Sequence, residues 1–153
     1  MAKITAQLIR KVREESGAPM MRAKKVLEEV GGDSKKAIDI LKKEGFEKMA
    51  KRADRQTASG VVVSYSHHTG KIASMFELLC ETDFVAKNEL FINLADDIAM
   101  QVASMNPKNE KELLNQDFIK NPGKKIAELI KEVTAKTGEN IKLGRFARIE
   151  VGQ

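Results

Sequence analysis

The sequence is poor in the side chains on which many kinds of functional site depend. It has no Trp, a single Tyr, a single Cys and only two His among 153 residues. A lone cysteine cannot form an internal disulfide, and no Cys and His residues have the spacing of a zinc site. We therefore expect neither a metal nor another cofactor. Because large aromatic side chains are scarce, the core must come from Leu, Ile, Val, Met and a few Phe.

Long apolar runs are also missing. No stretch approaches the ~20 apolar residues that cross a bilayer. The first residues pass directly into an amphipathic pattern, without the apolar segment of a signal peptide. Together with the unpaired cysteine, these absences predict a cytoplasmic protein that makes no contact with a membrane.

The chain contains no recognisable set of catalytic residues. Phosphate-binding and dinucleotide-binding glycine motifs are absent, and so is the His-Glu-x-x-His metal motif. His67 and His68 are neighbours in a predicted surface turn. Cys80 lies in an apolar strand, where a buried and inert thiol is commoner than a nucleophile. We therefore predict that the protein is not an enzyme.

Positive charge is concentrated in the first third of the chain. Residues 1–55 hold 15 Lys or Arg against 9 Asp or Glu, whereas the remainder holds 12 against 13. The net charge of +5 thus comes from the N-terminal segment. Such a segment can face nucleic acid or an acidic protein surface, or its lysines can simply line solvated helix faces.

Apolar residues recur at helical spacing in residues 1–46. They mark three segments, which end at Ser16-Gly17, at Gly31-Gly32 and near Gly45. We predict a small three-helix domain whose core barely offsets the loss of chain entropy. Residues 47–59 are charged and rich in small side chains, so we interpret them as a linker.

Residues 60–153 have the pattern of an α+β module. Two runs, 61–65 and 71–80, flank a turn and predict a β-hairpin. Two amphipathic helices follow, with a short helix around Glu110 to Asn115 between them. Alternating apolar residues mark a closing strand: Ile141, Leu143, Ala147, Ile149 and Val151. The predicted order is β-β-α-α-β, with about three antiparallel strands.

The connection Glu81-Thr82-Asp83-Phe84-Val85-Ala86 has an unusual composition, because strand-to-helix connections favour Gly, Ser, Asn or Asp. It fits two hypotheses. In the first, Asp83 caps the next helix and Phe84 packs in the core. In the second, Phe84 is an apolar projection, with an acid beside it, that enters another protein.

Met20 and Met21 are also unusual, since consecutive residues at a helix start cannot both face one small core. Met is adaptable and frequent at binding surfaces. The pair can pack at the core and rim of the helical domain, or it can form an interface. Composition alone leaves both hypotheses open.

Several motifs in the same order resemble the elongation factor Ts family. Thr82-Asp83-Phe84-Val85-Ala86 is similar to its signature loop, and Gly138-Glu139-Asn140-Ile141 is similar to its later signature. The family's opening resembles Ile4-Thr5-Ala6, Ser16-Gly17-Ala18-Pro19-Met20-Met21, Lys24-Lys25 and Gly32-Asp33. The resemblance implies an N-terminal domain like the ubiquitin-associated fold, a linker and an α+β core module.

The resemblance also implies that the protein binds elongation factor Tu, both GDP-bound and nucleotide-free, and promotes GDP release. The loop Thr82, Asp83, Phe84 and Val85 then contacts the partner, with Phe84 intruding between helices and disturbing the partner's magnesium site. Further contacts with the same partner domain are implied for Arg13, Met20, Met21 and Lys24, and for Arg52 in the linker.

The sequence departs from the family's long form, which carries two related core modules, a helical hairpin and a C-terminal helix. We expect a single module here, and the short form of the family is implied to act as a homodimer. Ala73, Met75 and Leu79 alternate with the inward Phe76 and Leu78. Both faces of the predicted sheet therefore need cover, from a second copy of the chain or, in a monomer, from the basic linker helix.

The rival hypothesis is an RNA-binding protein whose basic N-terminal helices contact phosphates. Aromatic stacking platforms are scarce, because Tyr65 is the only Tyr and no Trp is present. We therefore expect no direct contact with nucleic acid.

Overall fold

The computed structural model describes residues 3 to 153. The first two residues of the predicted helical domain lie outside this range. The elements in chain order are α1 (Ala6–Ser16), α2 (Met20–Glu29), α3 (Ser34–Arg52), β1 (Ser59–Ser66), β2 (Ile72–Cys80), α4 (Asp83–Ala86), α5 (Glu89–Met105), α6 (Glu110–Asn115), β3 (Asp117–Phe118), β4 (Asn121–Lys125), α7 (Ile126–Thr137) and β5 (Lys142–Glu150). The predicted α+β class is confirmed.

The chain divides into two compact units between Asp54 and Arg55. The helical unit, up to Asp54, packs α1, α2 and α3 against one another. Its core consists of Val12, Ala23, Val26, Leu27, Ala37, Ile38 and Leu41. Local capping fixes the helix ends. The Thr5 hydroxyl accepts a hydrogen bond from the Leu8 amide, and Gly17 closes α1 in the left-handed conformation, with φ of 70°.

Helix α3 is longer than the sequence predicted. It was expected to end near Gly45 but continues through that glycine to Arg52. A glycine inside a helix costs only about 0.5–1 kcal/mol. The residues that follow it include no Pro and several good helix formers. Residues 47–52 of the predicted linker are therefore helical.

The sheet unit, Arg55–Gln153, is built on an antiparallel sheet with the strand order β1-β2-β5, here called the main sheet. The predicted hairpin forms β1 and β2, with Val63 opposite Phe76. Helix α5 packs across one face of this sheet, and α7 packs on α5. The core between them includes Phe76, Leu78, Phe91 and Ile98, all fully buried.

The predicted order β-β-α-α-β was incomplete. It omitted the short helix α4 and a ribbon of β3 and β4, which pair with each other rather than with the main sheet. Strand β4 contains Pro122. Pro is tolerated there because a strand of a two-stranded ribbon is an edge strand. The buried Gln101 side chain fastens this ribbon by accepting a hydrogen bond from the Ile119 amide, at 3.1 Å.

A bulge in β5 decides which of its side chains face the core. Phe76 pairs with Phe146 and Leu78 pairs with Leu143, so β5 has one residue more than β2 between these pairs. One extra residue reverses the inward and outward positions along a strand. In a regular strand Leu143 and Ile149 would lie on the same face, because an even number of positions separates them. With the bulge, Leu143 is buried and Ile149 is 76% exposed.

Candidate functional site

The segment that follows β2 presents an exposed aromatic ring. Strand β2 ends at Cys80, and the single turn of helix α4 begins at Asp83. Phe84 is 84% exposed, whereas the next residue, Val85, packs against the core of the sheet unit. The hypothesis that Phe84 packs in the core is therefore wrong. Asp83 does not cap the predicted helix after this segment, because the cap of α5 is Asn88. The cap of α4 is Thr82, whose hydroxyl accepts a hydrogen bond from the Val85 amide at 3.5 Å.

Two residues from the far end of the sequence hold the base of this segment. The Glu139 carboxylate accepts hydrogen bonds from the Thr82 amide at 3.1 Å and from the Thr82 hydroxyl at 2.8 Å. In return, the Glu81 carboxylate accepts a hydrogen bond from the Asn140 amide at 2.8 Å. We call Glu81, Thr82, Glu139 and Asn140 the clamp.

Arg55 braces the clamp from a third part of the sheet unit. Its guanidinium lies 3.6 Å from the Glu81 carboxylate. Its backbone carbonyl accepts a hydrogen bond from the Asn140 side-chain amide at 3.1 Å. The Glu81 charge is thus both paired and hydrogen-bonded.

The thiol of Cys80 lies under the same segment and donates a hydrogen bond to the Thr82 carbonyl at 3.1 Å. Burial raises the pKa of Cys80, and the nearby Glu139 carboxylate raises that pKa further. A thiol with a raised pKa stays protonated at neutral pH, so it acts here as a hydrogen-bond donor and not as a nucleophile.

A second exposed apolar surface lies at the start of α2. Met20 is 49% exposed and Met21 is 77% exposed, and neither belongs to the core of the helical unit. Met21 and Lys24 line a shallow groove along α2, together with Arg22, Lys25 and Glu28.

The other predicted contact residues of the helical unit lie outside this groove. Arg13 is exposed in the last turn of α1, and Arg52 is half-buried at the end of α3. The structure therefore brings Met21 and Lys24 together along α2, while Arg13 and Arg52 stand on the other two helices of the unit.

Arg22 was missed by sequence reasoning, although it connects α2, which carries the methionines, to α3. Its guanidinium donates hydrogen bonds to Glu44 on α3 and to Glu29 on α2. The hydrogen bonds from Arg22 hold the pKa of Glu44 below its usual range. No local signal marks this pair, because its members lie 22 positions apart.

A third apolar surface is the face of the main sheet opposite to α5, here called the outer face. Val62, Met75 and Ile149 are exposed on it. A shallow depression of about 350 Å³ lies between Met75 and the bulge of β5. At the bulge, the Arg145 guanidinium pairs with the Glu77 carboxylate at 3.3 Å. Gly144 leaves the space for this pair, because a Cβ atom there would collide with the Glu77 side chain.

The described part of the chain offers no cluster of three or more His, Cys, Asp or Glu side chains that could hold a metal ion. Between residues 3 and 153, no helix is both long enough and apolar enough to cross a membrane.

Comparison with known proteins identifies the family. The family model described as Elongation factor TS matches residues 81–153. A protein named Elongation factor Ts from Thermodesulfovibrio yellowstonii is 43% identical over 194 residues, covering 98% of this chain and 97% of its own. Relatives of the same name from Oleidesulfovibrio alaskensis and Finegoldia magna are 40% and 39% identical. They cover 99% and 100% of this chain, and 100% and 92% of their own lengths.

The aligned span is longer than this chain. In the first comparison it has 194 positions against 153 residues, so that relative has at least 41 residues within the span that lack a counterpart here. The main sheet, α4 and the clamp are formed without them. Identity at this level over nearly the whole of both chains shows that the chain belongs to the elongation factor Ts family of translation elongation factors.

Proposed function

We propose that this protein is a guanine nucleotide exchange factor that binds elongation factor Tu, both GDP-bound and nucleotide-free, and accelerates GDP release. Family membership supports the choice of partner. The exposed ring of Phe84 on a braced turn is the observation that carries the mode of action. The proposed role involves no covalent chemistry, cofactor or direct contact with nucleic acid, and the proposed location is the cytoplasm.

In this proposal Phe84 is a wedge that enters the nucleotide domain of elongation factor Tu and disturbs its magnesium site. Burying one Phe side chain contributes about 1.5–3 kcal/mol. If the ring is buried only in a partner conformation that coordinates magnesium poorly, that free energy favours this conformation. Because coupling between two ligands is reciprocal, a factor that prefers the nucleotide-free partner must weaken nucleotide binding.

The remaining loop residues support the wedge. Thr82 caps α4, and Val85 anchors it on the core. Asp83 is exposed beside Phe84, and its carboxylate lies 3.5 Å from the Lys87 ammonium group. Because its side chain is exposed, the Asp83 carboxylate lies at the surface that the partner would cover.

Burying the single ring of Phe84 changes an equilibrium constant by only about ten- to a hundredfold. A second contact with the partner is therefore needed. We assign it to the helical unit, where Met20, Met21 and Lys24 meet the same domain of elongation factor Tu. Arg13 and Arg52 extend that contact with positive charge. The surplus of positive charge in residues 1–55 suits an acidic partner surface.

Release of fluorescently labelled GDP from purified elongation factor Tu tests the proposal. Substoichiometric amounts of this protein should accelerate release with turnover, in the presence of excess unlabelled GDP. Release at the unassisted rate would overturn the proposed function. Recovery of bound RNA instead of elongation factor Tu from a lysate would favour the RNA-binding hypothesis.

We further propose a two-fold symmetric homodimer that buries the outer faces and binds two copies of elongation factor Tu. Two sheets pack face to face about 10 Å apart. This arrangement would cover Val62, Met75 and Ile149, which a single unit leaves in water.

Light scattering at micromolar concentration tests the dimer. The expected mass is twice 17.0 kDa, and Met75→Lys should shift it toward the monomer by placing a charge in the buried face. Ile119→Lys, at an exposed position on the β3–β4 ribbon, is the matched control. A mass of 17.0 kDa that does not change on concentrating the protein would exclude the dimer.

A further inference from the structure

We infer that Glu139 is a positioning residue for Phe84, because its carboxylate fixes the direction in which α4 presents the ring. The inference rests on the proposed function of Phe84 and adds a residue that lies 55 positions away in the sequence. Glu139 itself is half-buried at the turn between α7 and β5.

Helix α4 cannot hold its own conformation. It has four residues, and a single helical turn is unstable in water because nucleation costs more than one hydrogen bond returns. Phe84 adds no anchoring of its own, since its ring projects into solvent. The direction of the ring must therefore be set by Val85 and Ala86, which pack on the core, and by the cap at Thr82.

The Thr82 hydroxyl both accepts and donates a hydrogen bond, and it can do so only if an acceptor for its hydrogen is correctly placed. It must accept a hydrogen bond from the Val85 amide while its own hydrogen points elsewhere. The two Glu139 carboxylate oxygens lie 2.8 and 2.9 Å from this hydroxyl and take that hydrogen. Because a carboxylate accepts and never donates, it leaves the hydroxyl lone pair free for the cap.

The same carboxylate also accepts a hydrogen bond from the Thr82 amide at 3.1 Å, so both the backbone and the side chain of the cap residue are held. The Glu81–Asn140 hydrogen bond runs in the opposite direction between the neighbouring residues. Two consecutive residues of one segment are thus joined to two consecutive residues of the other. This double connection restrains rotation of α4 about a single bond, which one hydrogen bond alone would permit.

The test combines amide hydrogen exchange with nucleotide release, using full-length Glu139→Ala. We expect the Val85 and Ala86 amides to exchange at least about tenfold faster, because Glu139→Ala removes both hydrogen bonds to Thr82 and the loss of one hydrogen bond to a charged group already corresponds to about tenfold. Stimulated GDP release should fall about five- to tenfold. The sheet unit should stay folded, because Phe76, Phe91 and Ile98 are untouched. Glu128→Ala, at an exposed position on α7, is the matched control and should change neither measurement.

Two further variants separate positioning from general stability. Glu139→Gln keeps one acceptor oxygen but places a donor against the Thr82 hydroxyl, so it should restore release only in part. In a Phe84→Ala background, Glu139→Ala should cause no further loss, because it acts through the ring that has been removed. A merely structural role would lower release in both backgrounds.

The outcomes separate this inference from the proposed function. If the wild-type protein accelerates GDP release but Glu139→Ala leaves the α4 amides protected, the inference is wrong and the proposed function stands. The inference is also wrong if Glu139→Ala reduces release equally in the Phe84→Ala background. If the wild-type protein does not accelerate release, the proposed function fails, and the role assigned to Glu139 fails with it.

Discussion

The helical unit and the sheet unit expose apolar side chains in different ways. In the sheet unit, Phe84 stands on a turn whose base is held by the clamp and braced by Arg55. In the helical unit, Met20 and Met21 are unbranched side chains on the first turn of α2. A ring on a braced turn presents one shape, whereas methionine adapts to its neighbours. The contrast supports the proposed roles of a rigid wedge on one unit and an adaptable contact on the other.

The cores of the two units also differ in size. Of the described residues, seven form the buried cluster of the helical unit and sixteen form that of the sheet unit. Burial supplies most of the stabilising free energy, so the helical unit must be the less stable of the two. A rigid site belongs on the larger core, because fewer local openings disturb it there.

The largest effect is expected for Leu27→Ala, which would sharpen the contrast in stability. Leu27 is fully buried in the small core, and such truncations cost about 2–5 kcal/mol. That is comparable to the whole stability of so small a bundle. Segment-resolved hydrogen exchange should show α1 to α3 losing protection while β1, β2 and β5 keep theirs.

Ile40→Ala, at a partly exposed position on α3, is the matched control and should leave the helical unit folded. Full protection of α1 to α3 in Leu27→Ala would contradict the view that the helical unit is the weaker one.

Phe84→Ala addresses the rigid site directly. We expect stimulated GDP release to fall about ten- to a hundredfold, the value of burying one Phe in the partner. The melting temperature should hardly change, because the ring is exposed in the free protein. Ile119→Ala removes another exposed apolar side chain of the same unit and serves as the control. If Phe84→Ala instead strongly lowers the melting temperature and leaves stimulated GDP release unchanged, the role of Phe84 is structural.

Replacing Met20 and Met21 together with Ala tests the adaptable contact. We expect the Kd for elongation factor Tu to rise about three- to tenfold, since both side chains lose area that the complex would bury. The maximal release rate at saturating factor should hold, because the wedge is intact. Titration of the release rate against factor concentration separates the two quantities. An unchanged Kd would mean that the methionines only border the helical core.

The smallest effect concerns the pH dependence of the helical unit. Hydrogen bonds from Arg22 hold the pKa of Glu44 below its ordinary value of 4.5. A carboxyl whose pKa is lower in the folded state contributes stability above its ordinary pKa, and this is lost as pH falls through the folded value. The stability of the helical unit should therefore decrease below about pH 4.5.

In Glu44→Gln this part of the acid dependence should be absent. Denaturant unfolding at about pH 7 and about pH 3 gives the free energies of unfolding of the wild-type protein and of Glu44→Gln. The difference between these two free energies should be smaller at the lower pH. Equal differences at both pH values would show that the Arg22–Glu44 pair contributes no stability that depends on pH.

Much of the local structure could be predicted from the sequence because its causes are local. The short helix around Glu110 to Asn115 was predicted at its observed position, and α1 ends before Gly17 as expected. Caps, glycines in the left-handed conformation and apolar periodicity act over a few residues. They therefore leave a signal in the sequence that needs no knowledge of the fold.

The candidate site was only half visible in the sequence. The composition of residues 81–86 marked the segment as unusual but left Phe84 either in the core or in solvent. Glu139 gave no local signal, because it lies 57 positions from Thr82. The resemblance of Gly138-Glu139-Asn140-Ile141 to a family signature marked the segment without indicating its contact with the loop.

The sequence by itself determined the helix ends other than that of α3, the hairpin and the basic N-terminal third, since these depend on neighbouring residues. Only the tertiary structure decided that β5 carries a bulge opposite Glu77, which buries Leu143 and exposes Ile149. Strand pairing and burial on the helix α5 select that register, and their free energies arise from residues far apart in the chain. The clamp has the same origin, because its hydrogen bonds form only when the segment between α7 and β5 lies beside the end of β2.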